Sequence, residues 1–293
     1  MKRVDRVWLA FLLLALAWGT SFLFIKLGLA TLRPMTLVAL RLLVGWLGLM
    51  VIAGRLRLAL PRRWETWRHL VFMGVVNTAV PFILITWGES GERGVASGVA
   101  SVLNSTVPLF SIVLASAVFR AERVTGGKVM GLLVGFAGIV LLFSRDLQQE
   151  WGGLTPQLAI VAAAFCYALA SSYARRHLQG WHPVVVAAGQ LLVAELLVWP
   201  AALLLEGFAG QSLPWLTVGS ILWLGLLGSC LAYILYFYIL QQWGATRTTL
   251  VTYLLPMVGV TAGALFLHEV VDWRLIAGGA LILSGVGAVN QFK

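Results

Sequence analysis

Ten apolar stretches of about 20 residues, separated by short charged segments, constrain this chain more than any other feature. A helix of that length crosses a hydrocarbon core of about 30 Å. Only 11% of the residues are charged, against roughly 25% in a soluble domain. The sequence therefore predicts an all-α membrane protein. The predicted transmembrane helices are residues 7–27, 34–54, 69–88, 95–119, 127–144, 155–175, 183–205, 216–239, 247–268 and 273–290.

The charged residues between these helices predict the orientation of the chain. With the N-terminus inside, the cytoplasmic connections carry the basic residues Arg55, Arg57, Arg62, Arg63, Arg68, Arg120, Arg123, Lys128, Arg175, Arg176 and Arg247. The opposite loops hold mostly the acidic residues Glu89, Glu92, Asp146, Glu150, Glu206, Glu269 and Asp272. By the positive-inside rule both termini are predicted to be cytoplasmic, in a multi-pass protein of the inner membrane. The net charge of +10 then reflects topology, and no nucleic-acid partner is expected.

The two halves of the chain share one spacing of glutamate and glycine, after a proline whose distance to the glutamate differs by one residue. The first half contains Pro108, Glu122, Gly131 and Gly138, and the second half contains Pro256, Glu269, Gly278 and Gly285. A similar offset between the halves, one or two residues longer, places Trp18 on Tyr167 and Arg41 on Gln190. We therefore predict a duplicated five-helix unit, with repeats 1–148 and 149–293 that form one structural domain.

Because five is odd, the second copy enters the membrane from the opposite side. Inverted repeats give many secondary transporters two related conformations, one open to each side, with the substrate site near the midplane. The sequence thus predicts ten transmembrane helices arranged as two inverted repeats around a central cavity.

The segment "WGTSFLFIKLGLATLRPMTLVALR" (residues 18–41), together with the repeated proline, glutamate and glycine pattern, resembles the EamA-type drug/metabolite transporter superfamily. The resemblance covers nearly the whole chain. It implies a carrier of small molecules, often an exporter of amino acids or related metabolites, and no cofactor.

Two prolines interrupt predicted spans at equivalent positions of the repeat. Pro108 and Pro256 lack an N–H group, so they deprive the carbonyls of Asn104 and Thr252 of their helical donors. We interpret the prolines as hinges. Polar groups at such breaks either form a transporter site or satisfy the backbone and join helices, and both interpretations are open at this level.

Aromatic and polar side chains of several spans complete a predicted substrate cavity. The predicted lining residues are Trp18, Asn77, Ser101, Asn104, Tyr167, Ser229, Tyr233, Thr252 and Tyr253. Such a cavity is apolar yet able to orient a polar group. It favours a zwitterion with an apolar or aromatic side chain, since a multivalent anion would require several buried cations.

Two charged residues, Arg41 and Glu195, lie within predicted spans. Charges in hydrocarbon are costly and are therefore candidates for function. Their possible roles are ion coupling, substrate contact or a structural ion pair. Glu195 is the first residue to suspect if transport is proton-coupled, and facilitated diffusion is the alternative.

Catalytic and metal-binding patterns are missing from the sequence. His268 and Glu269 are not followed by a second histidine at the zinc-binding spacing, no predicted span contains aspartate, and no phosphate-binding loop is present. We predict a secondary transporter, not an enzyme, that exports neutral hydrophobic or aromatic amino acids by alternating access. The alternatives are an exporter of amines, nucleobases or drugs, and a channel. The oligomeric state is open, because the glycines of span five favour close packing either within or between protomers.

The topology can be tested by cysteine accessibility. Cysteines placed at Arg62 and Glu206 are expected to react with a membrane-impermeant thiol reagent from opposite sides, because basic loops stay cytoplasmic. Labelling of both positions from one side would contradict the predicted ten-span orientation.

Overall fold

The structure, a computed structural model, describes residues 3–117, 126–143 and 154–291. The end of the predicted fourth span, Glu122 and the predicted repeat boundary lie outside these ranges. The helices are α1 (Arg3–Leu29), α2 (Pro34–Arg55), α3 (Trp64–Met73), α4 (Val80–Gly88), α5 (Ser97–Asn104), α6 (Val107–Ala117), α7 (Gly126–Phe143), α8 (Leu154–His177), α9 (Pro183–Ala201), α10 (Trp215–Leu222), α11 (Ala232–Thr248), α12 (Leu255–Leu267) and α13 (Trp273–Gln291).

Within the described ranges, 6 helical stretches are long and apolar enough to cross a membrane. Three of them pass through π-helical turns, namely Gly74–Ala79 between α3 and α4, Ala202–Glu206 after α9, and Trp223–Leu231 between α10 and α11. The remaining predicted spans correspond to shorter apolar helices, two of which begin after a break in the helix. The chain is an all-α, multi-pass membrane protein, and the count of ten spans stays a prediction.

Both breaks lie where the sequence places its span-interrupting prolines. Ser105 and Thr106 separate α5 from α6, and the short 3₁₀ helix Thr249–Tyr253 precedes α12. Pro108 and Pro256 are each the second residue of the helix that follows. A missing N–H is harmless in the first turn of a helix. Each proline therefore begins a new helix, where a kink within one continuous helix was expected.

Hydroxyl groups add hydrogen bonds to backbone carbonyls at the first break. Ser101 Oγ donates to the carbonyl of Gly98 at 2.7 Å and Ser105 Oγ donates to that of Val102 at 2.6 Å. Thr106 Oγ1 similarly bonds to a carbonyl three residues earlier. The carbonyls of Val102 and Leu103 also accept from the N–H groups of Ser105 and Thr106, so these bonds satisfy the hydroxyls themselves in a medium without water. For these three hydroxyls the helix-stabilising interpretation applies.

Two glycines allow a neighbouring helix to pack closely against the backbone of a π turn. A Cβ atom at Gly74 would lie 2.8 Å from the carbonyl oxygen of Gln190 on α9, and one at Gly225 would lie 3.0 Å from that of Arg41 on α2. Real Cβ atoms essentially never show the first distance, and the second is tighter than nine in ten real Cβ contacts. Each π turn of one half thus packs on a helix of the other half.

The glycines of the repeated motif join α7 to α13. A Cβ atom at Gly138 would lie 2.6 Å from the carbonyl oxygen of Gly278, and one at Gly285 would lie 2.4 Å from that of Gly131. Small residues allow such close approach between membrane helices. The glycines of span five therefore serve a contact within the chain, while the oligomeric state stays open.

Substitution of these glycines tests the contact. Gly285→Ala is expected to lower the free energy of unfolding by about 1–3 kcal/mol, because the added methyl overlaps the α7 backbone. Gly287→Ala on the same helix meets no atom within 4 Å and should be neutral or slightly stabilising. Thermal unfolding in detergent measures both, and equal melting temperatures would contradict the contact.

Candidate functional site

A central cavity lies between the helices, and the space inside it together with its open mouth amounts to about 780 Å³. Its polar and aromatic lining consists of Trp18, Ser21, Arg41, Asn77, Phe82, Asn104, Tyr167, Ser171, Tyr233, Tyr236, Thr248 and Thr252. Aliphatic residues and Phe22 complete the wall. The cavity is therefore mostly apolar, with a few polar groups directed into it.

Most of the predicted cavity residues meet at this one cavity. Those that line it are Trp18, Asn77, Asn104, Tyr167, Tyr233 and Thr252. They come from α1, the π turn after α3, α5, α8, α11 and the 3₁₀ helix before α12. The structure thus brings together residues that are as much as 234 positions apart in the sequence (252 − 18). Their role in substrate binding stays a prediction.

The structure places the other three predicted residues outside the cavity. Ser101 faces Gly259 at the contact between α5 and α12. Ser229 lies behind Arg41, and its Oγ donates to the carbonyl of Leu224. Tyr253 packs against an apolar cluster between the helices. Helix rotation decides these placements, since residues on one helix a few positions apart can face opposite directions.

One wall of the cavity is a group of aromatic rings. The ring of Trp18 lies 6.3 Å from that of Tyr233 and 5.6 Å from that of Tyr236. Tyr233 Oη donates to the carbonyl of Asn77 at 2.7 Å, within the π turn after α3. This bond satisfies the phenol and a backbone acceptor at once, so the aromatic wall is fixed in place.

Arg41 is a cation in the cavity wall. Its side chain is 3% exposed, and its guanidinium lies 3.9 Å from the centre of the Phe82 ring. Its Nη2 is 3.4 Å from Ser229 Oγ, which is a long hydrogen bond, and its Nε has no hydrogen-bond partner in the described part of the chain. The cation–π contact orients the group and leaves donors for an anionic ligand.

Two asparagines differ in their bonding. Asn77 Nδ2 donates to Gln190 Oε1 at 3.2 Å. Asn104 is 7% exposed, lines the cavity, and its Oδ1 has no hydrogen-bond partner among the residues described. A buried amide oxygen without a donor is costly. Asn104 is therefore prepared to accept a hydrogen bond from a ligand.

Glu195 lies away from the cavity lining. Its Oε1 accepts a hydrogen bond from Trp199 Nε1, one turn further along α9, and its Oε2 has no partner in the described ranges. Arg41 bonds to Ser229 and contacts Phe82. The ion pair suggested by these two intramembrane charges is not formed.

Two glutamates hold helix N-termini on the predicted outer side. Glu269 accepts hydrogen bonds from the backbone N–H groups of Ser97 and Gly98 at 2.7 and 2.9 Å, and from Ser97 Oγ at 3.0 Å. Glu206 accepts from the N–H groups of Met35 and Thr36, both at 2.8 Å. A carboxylate at a helix N-terminus satisfies unpaired donors and is favoured by the helix dipole. The glutamate of the repeated motif is thus a cap for α5.

Several polar residues at or near the cavity were not selected from the sequence. Ser21 and Ser171 follow Trp18 and Tyr167 by three and four positions, so helical spacing could have identified them. Glu89 is buried just beyond the cavity, yet in sequence it resembles the exposed Glu92 of the same loop. No local signal separates these two glutamates.

Metal chemistry receives no support from the described residues, which contain no group of three or more His, Cys, Asp or Glu side chains able to hold an ion.

The Glu269 cap can be tested by Glu269→Gln. The variant replaces a carboxylate oxygen by a donor and should lower the free energy of unfolding by about 1.5–3 kcal/mol, the usual worth of a hydrogen bond to a charged group. The exposed Glu92→Gln is the matched control and should unfold like the parent protein in a detergent melt. An unchanged melting temperature for Glu269→Gln would contradict the cap.

Comparisons with known proteins agree on the class of molecule. A "Probable terminal-alkyne amino-acid exporter" of Streptantibioticus cattleyicolor is 29% identical over 99% of this chain and 95% of its own length. A "Probable amino-acid metabolite efflux pump" of Escherichia coli is 24% identical over 100% and 96%. A solved crystal structure with 19% identity superposes at a TM-score of 0.70 over 98% of this chain and 97% of its own, which indicates a shared fold.

The family model of the EamA-like transporter family matches the chain twice, at residues 6–144 and 154–291. Together these matches cover nearly all of the helical ranges described above. The chain is a membrane transporter and belongs to the EamA-like transporter family.

Proposed function

We propose that this transporter exports neutral amino acids, foremost those with hydrophobic or aromatic side chains, from the cytoplasm across the inner membrane. The observation that carries the proposal is one cavity that combines the Arg41 guanidinium and the unpartnered Asn104 oxygen with aromatic walls. A guanidinium binds a carboxylate, and an amide oxygen accepts from an ammonium group. An amino acid offers both groups on one carbon atom.

The walls favour an apolar side chain on that carbon. Trp18, Tyr233 and Tyr236 form one side of the cavity, and Phe22 and Phe82 also line it. Aromatic rings bury flat or aliphatic groups well. The same walls would accept planar amines, nucleobases or drugs, which are the second candidate class.

The names of the relatives support the amino-acid class. The two relatives above are named for amino-acid or amino-acid metabolite export. Both are similar to this chain over nearly its full length.

We further propose that the chain consists of two inverted five-helix repeats, 1–148 and 149–293, with both termini cytoplasmic. The glycine contacts support this arrangement because they are reciprocal. Gly74 of the first half contacts Gln190 of the second, and Gly225 of the second half contacts Arg41, the repeat counterpart of Gln190, in the first. The pairing of α7 with α13 is reciprocal in the same way, and the family model matches once in each half. Two similar halves can exchange conformations, as alternating access requires.

In this orientation the structure corresponds to a state that is closed on the outer side. The Glu269 and Glu206 caps both join one half to the other at that end. Thr31 and Thr217 add a hydrogen bond of 2.7 Å between their hydroxyls. The cavity lining reaches Ser171 and Thr248, near the predicted cytoplasmic ends of their helices. Export would require these outer contacts to open while Pro108 and Pro256 let their helices bend.

A transport assay tests the proposal. Proteoliposomes that contain the protein should show saturable, exchangeable flux of labelled phenylalanine or leucine without ATP, and Asn104→Leu should depress it at least about tenfold, since a lost hydrogen bond to a charged group is worth about 1.5–3 kcal/mol. The yield of folded Asn104→Leu protein should change less than its transport.

Ser105→Ala is the matched control, because Ser105 bonds to its own helix and does not line the cavity. It should keep its transport rate. Flux of amines, nucleobases or drugs, with none of amino acids, would overturn the proposed substrate class in favour of the second candidate. Non-saturable flux without exchange would favour a channel.

A further inference from the structure

Glu89 has a buried carboxyl group that does not line the cavity. It is the residue that follows α4, one turn beyond Ile85 on the cavity wall. Glu89 is 1% exposed, and neither carboxylate oxygen has a hydrogen-bond partner among the described residues. The nearby hydroxyl of Thr86 is buried and unpartnered as well. A carboxylate anion in such surroundings would lack both water and protein donors.

The neighbouring charged groups do not neutralise Glu89 by contact. Lys26 on α1 donates to the main-chain carbonyl of Glu89 at 2.7 Å, so this cation caps the end of α4. Arg41 on α2 is directed to Ser229 and Phe82. Glu269, which caps α5, adds a like charge on the remaining side.

These surroundings favour the neutral acid. Burial raises the pKa of the Glu89 carboxyl well above its ordinary value, and Glu269 raises it further, while Lys26 and Arg41 act in the opposite sense. Glu269 has its own hydrogen bonds to the N-terminus of α5. The two glutamates therefore differ in hydrogen bonding: Glu269 receives several donors, and Glu89 receives none from the described residues.

We propose that Glu89 is a proton-binding residue whose protonation lets the outer end of the transporter close. The inference rests on the alternating access proposed above, because it requires that the Glu89 side chain is exposed to external water when that end is open. As the end closes, a Glu89 carboxylate oxygen takes a proton from a hydronium ion of the external solution: an O–H bond of hydronium breaks, a water molecule is left, and a carboxyl O–H bond forms. When the end opens, that bond breaks and the proton returns to the outside.

The sign of the pH dependence follows from the raised pKa of the closed state. Closing takes up a proton, so acid outside favours the closed end. The stabilisation of the closed state by protonation of Glu89 is complete below the ordinary carboxyl pKa of about 4.3. It is lost as the external pH rises towards the raised pKa of Glu89 in the closed state. Each pH unit in that window changes the closed-to-open ratio about tenfold.

The experiment measures opening directly and needs no knowledge of the substrate. Ile25→Cys places a thiol at a cavity position that is 2% exposed, beside Lys26. It is made in a background that carries Cys166→Ala and Cys230→Ala, and a membrane-impermeant maleimide is added outside right-side-out vesicles. Dividing its labelling rate by that of Glu92→Cys, on the exposed loop, removes the intrinsic pH dependence of thiol reactivity.

We expect the normalised rate to rise about tenfold or more between external pH of about 5 and about 8. Glu89→Gln mimics the neutral acid and should keep the low rate at both pH values. Glu65→Gln, which removes an exposed carboxylate on the predicted cytoplasmic side, should keep the full pH response. Glu89→Met, which also cannot ionise, repeats the test if the glutamine variant is poorly folded.

The experiment distinguishes failure of the proton-binding role from failure of alternating access. A pH-independent rate with Glu89 intact, or an unchanged pH response in both Glu89 variants, would overturn the proton-binding role and leave export untouched. An Ile25→Cys thiol that never reacts from outside, while Glu92→Cys does, would show that the outer end does not open. That result would overturn alternating access and the role of Glu89 together.

Discussion

Backbone hydrogen bonding in a medium without water decides where this chain can be irregular. Each N–H and carbonyl group inside a membrane must find its partner within the protein. At the first helix break, carbonyls accept from the N–H groups of Ser105 and Thr106, and the hydroxyls of the same two residues donate to the same carbonyls. Next to them Asn104 keeps an unpartnered oxygen in the cavity wall. The mostly apolar cavity thus has one of its few polar groups where regular helix gives way.

Glycines at helix crossings hold these irregular segments together. Gly74 and Gly225 let the two π turns approach the backbones of α9 and α2. Those helices carry Gln190 and Arg41, which bond to Asn77 and Ser229 of the respective turns. Close backbone approach therefore positions two polar pairs, each of which joins one half of the chain to the other. One of the pairs includes the cation of the cavity, which links helix packing directly to the proposed recognition of a carboxylate.

Three glutamates near the predicted outer end show how the surroundings of a carboxyl group decide its role. Glu206 and Glu269 each meet the N-terminus of a helix and receive several donors. Glu89 lies at the C-terminal end of α4, where the backbone presents carbonyls, and its neighbour Lys26 binds one of these. Helix polarity supplies donors to the first two and withholds them from the third. The caps join the halves, whereas Glu89 is suited to carry a proton.

The sequence by itself determined the membrane class and the places of the helix breaks, because span length must match the bilayer and proline lacks an N–H group. It also identified six of the residues that meet at the cavity, since repeat-related polar positions beside the breaks and mid-span aromatic residues avoid lipid. Only the tertiary structure decided that Ser101 faces Gly259 while Asn104 faces the cavity, and that Glu89 is buried while Glu92 is exposed. The physical reason is that helix rotation and loop placement depend on contacts between distant segments, and those contacts fix the solvation and bonding of each side chain.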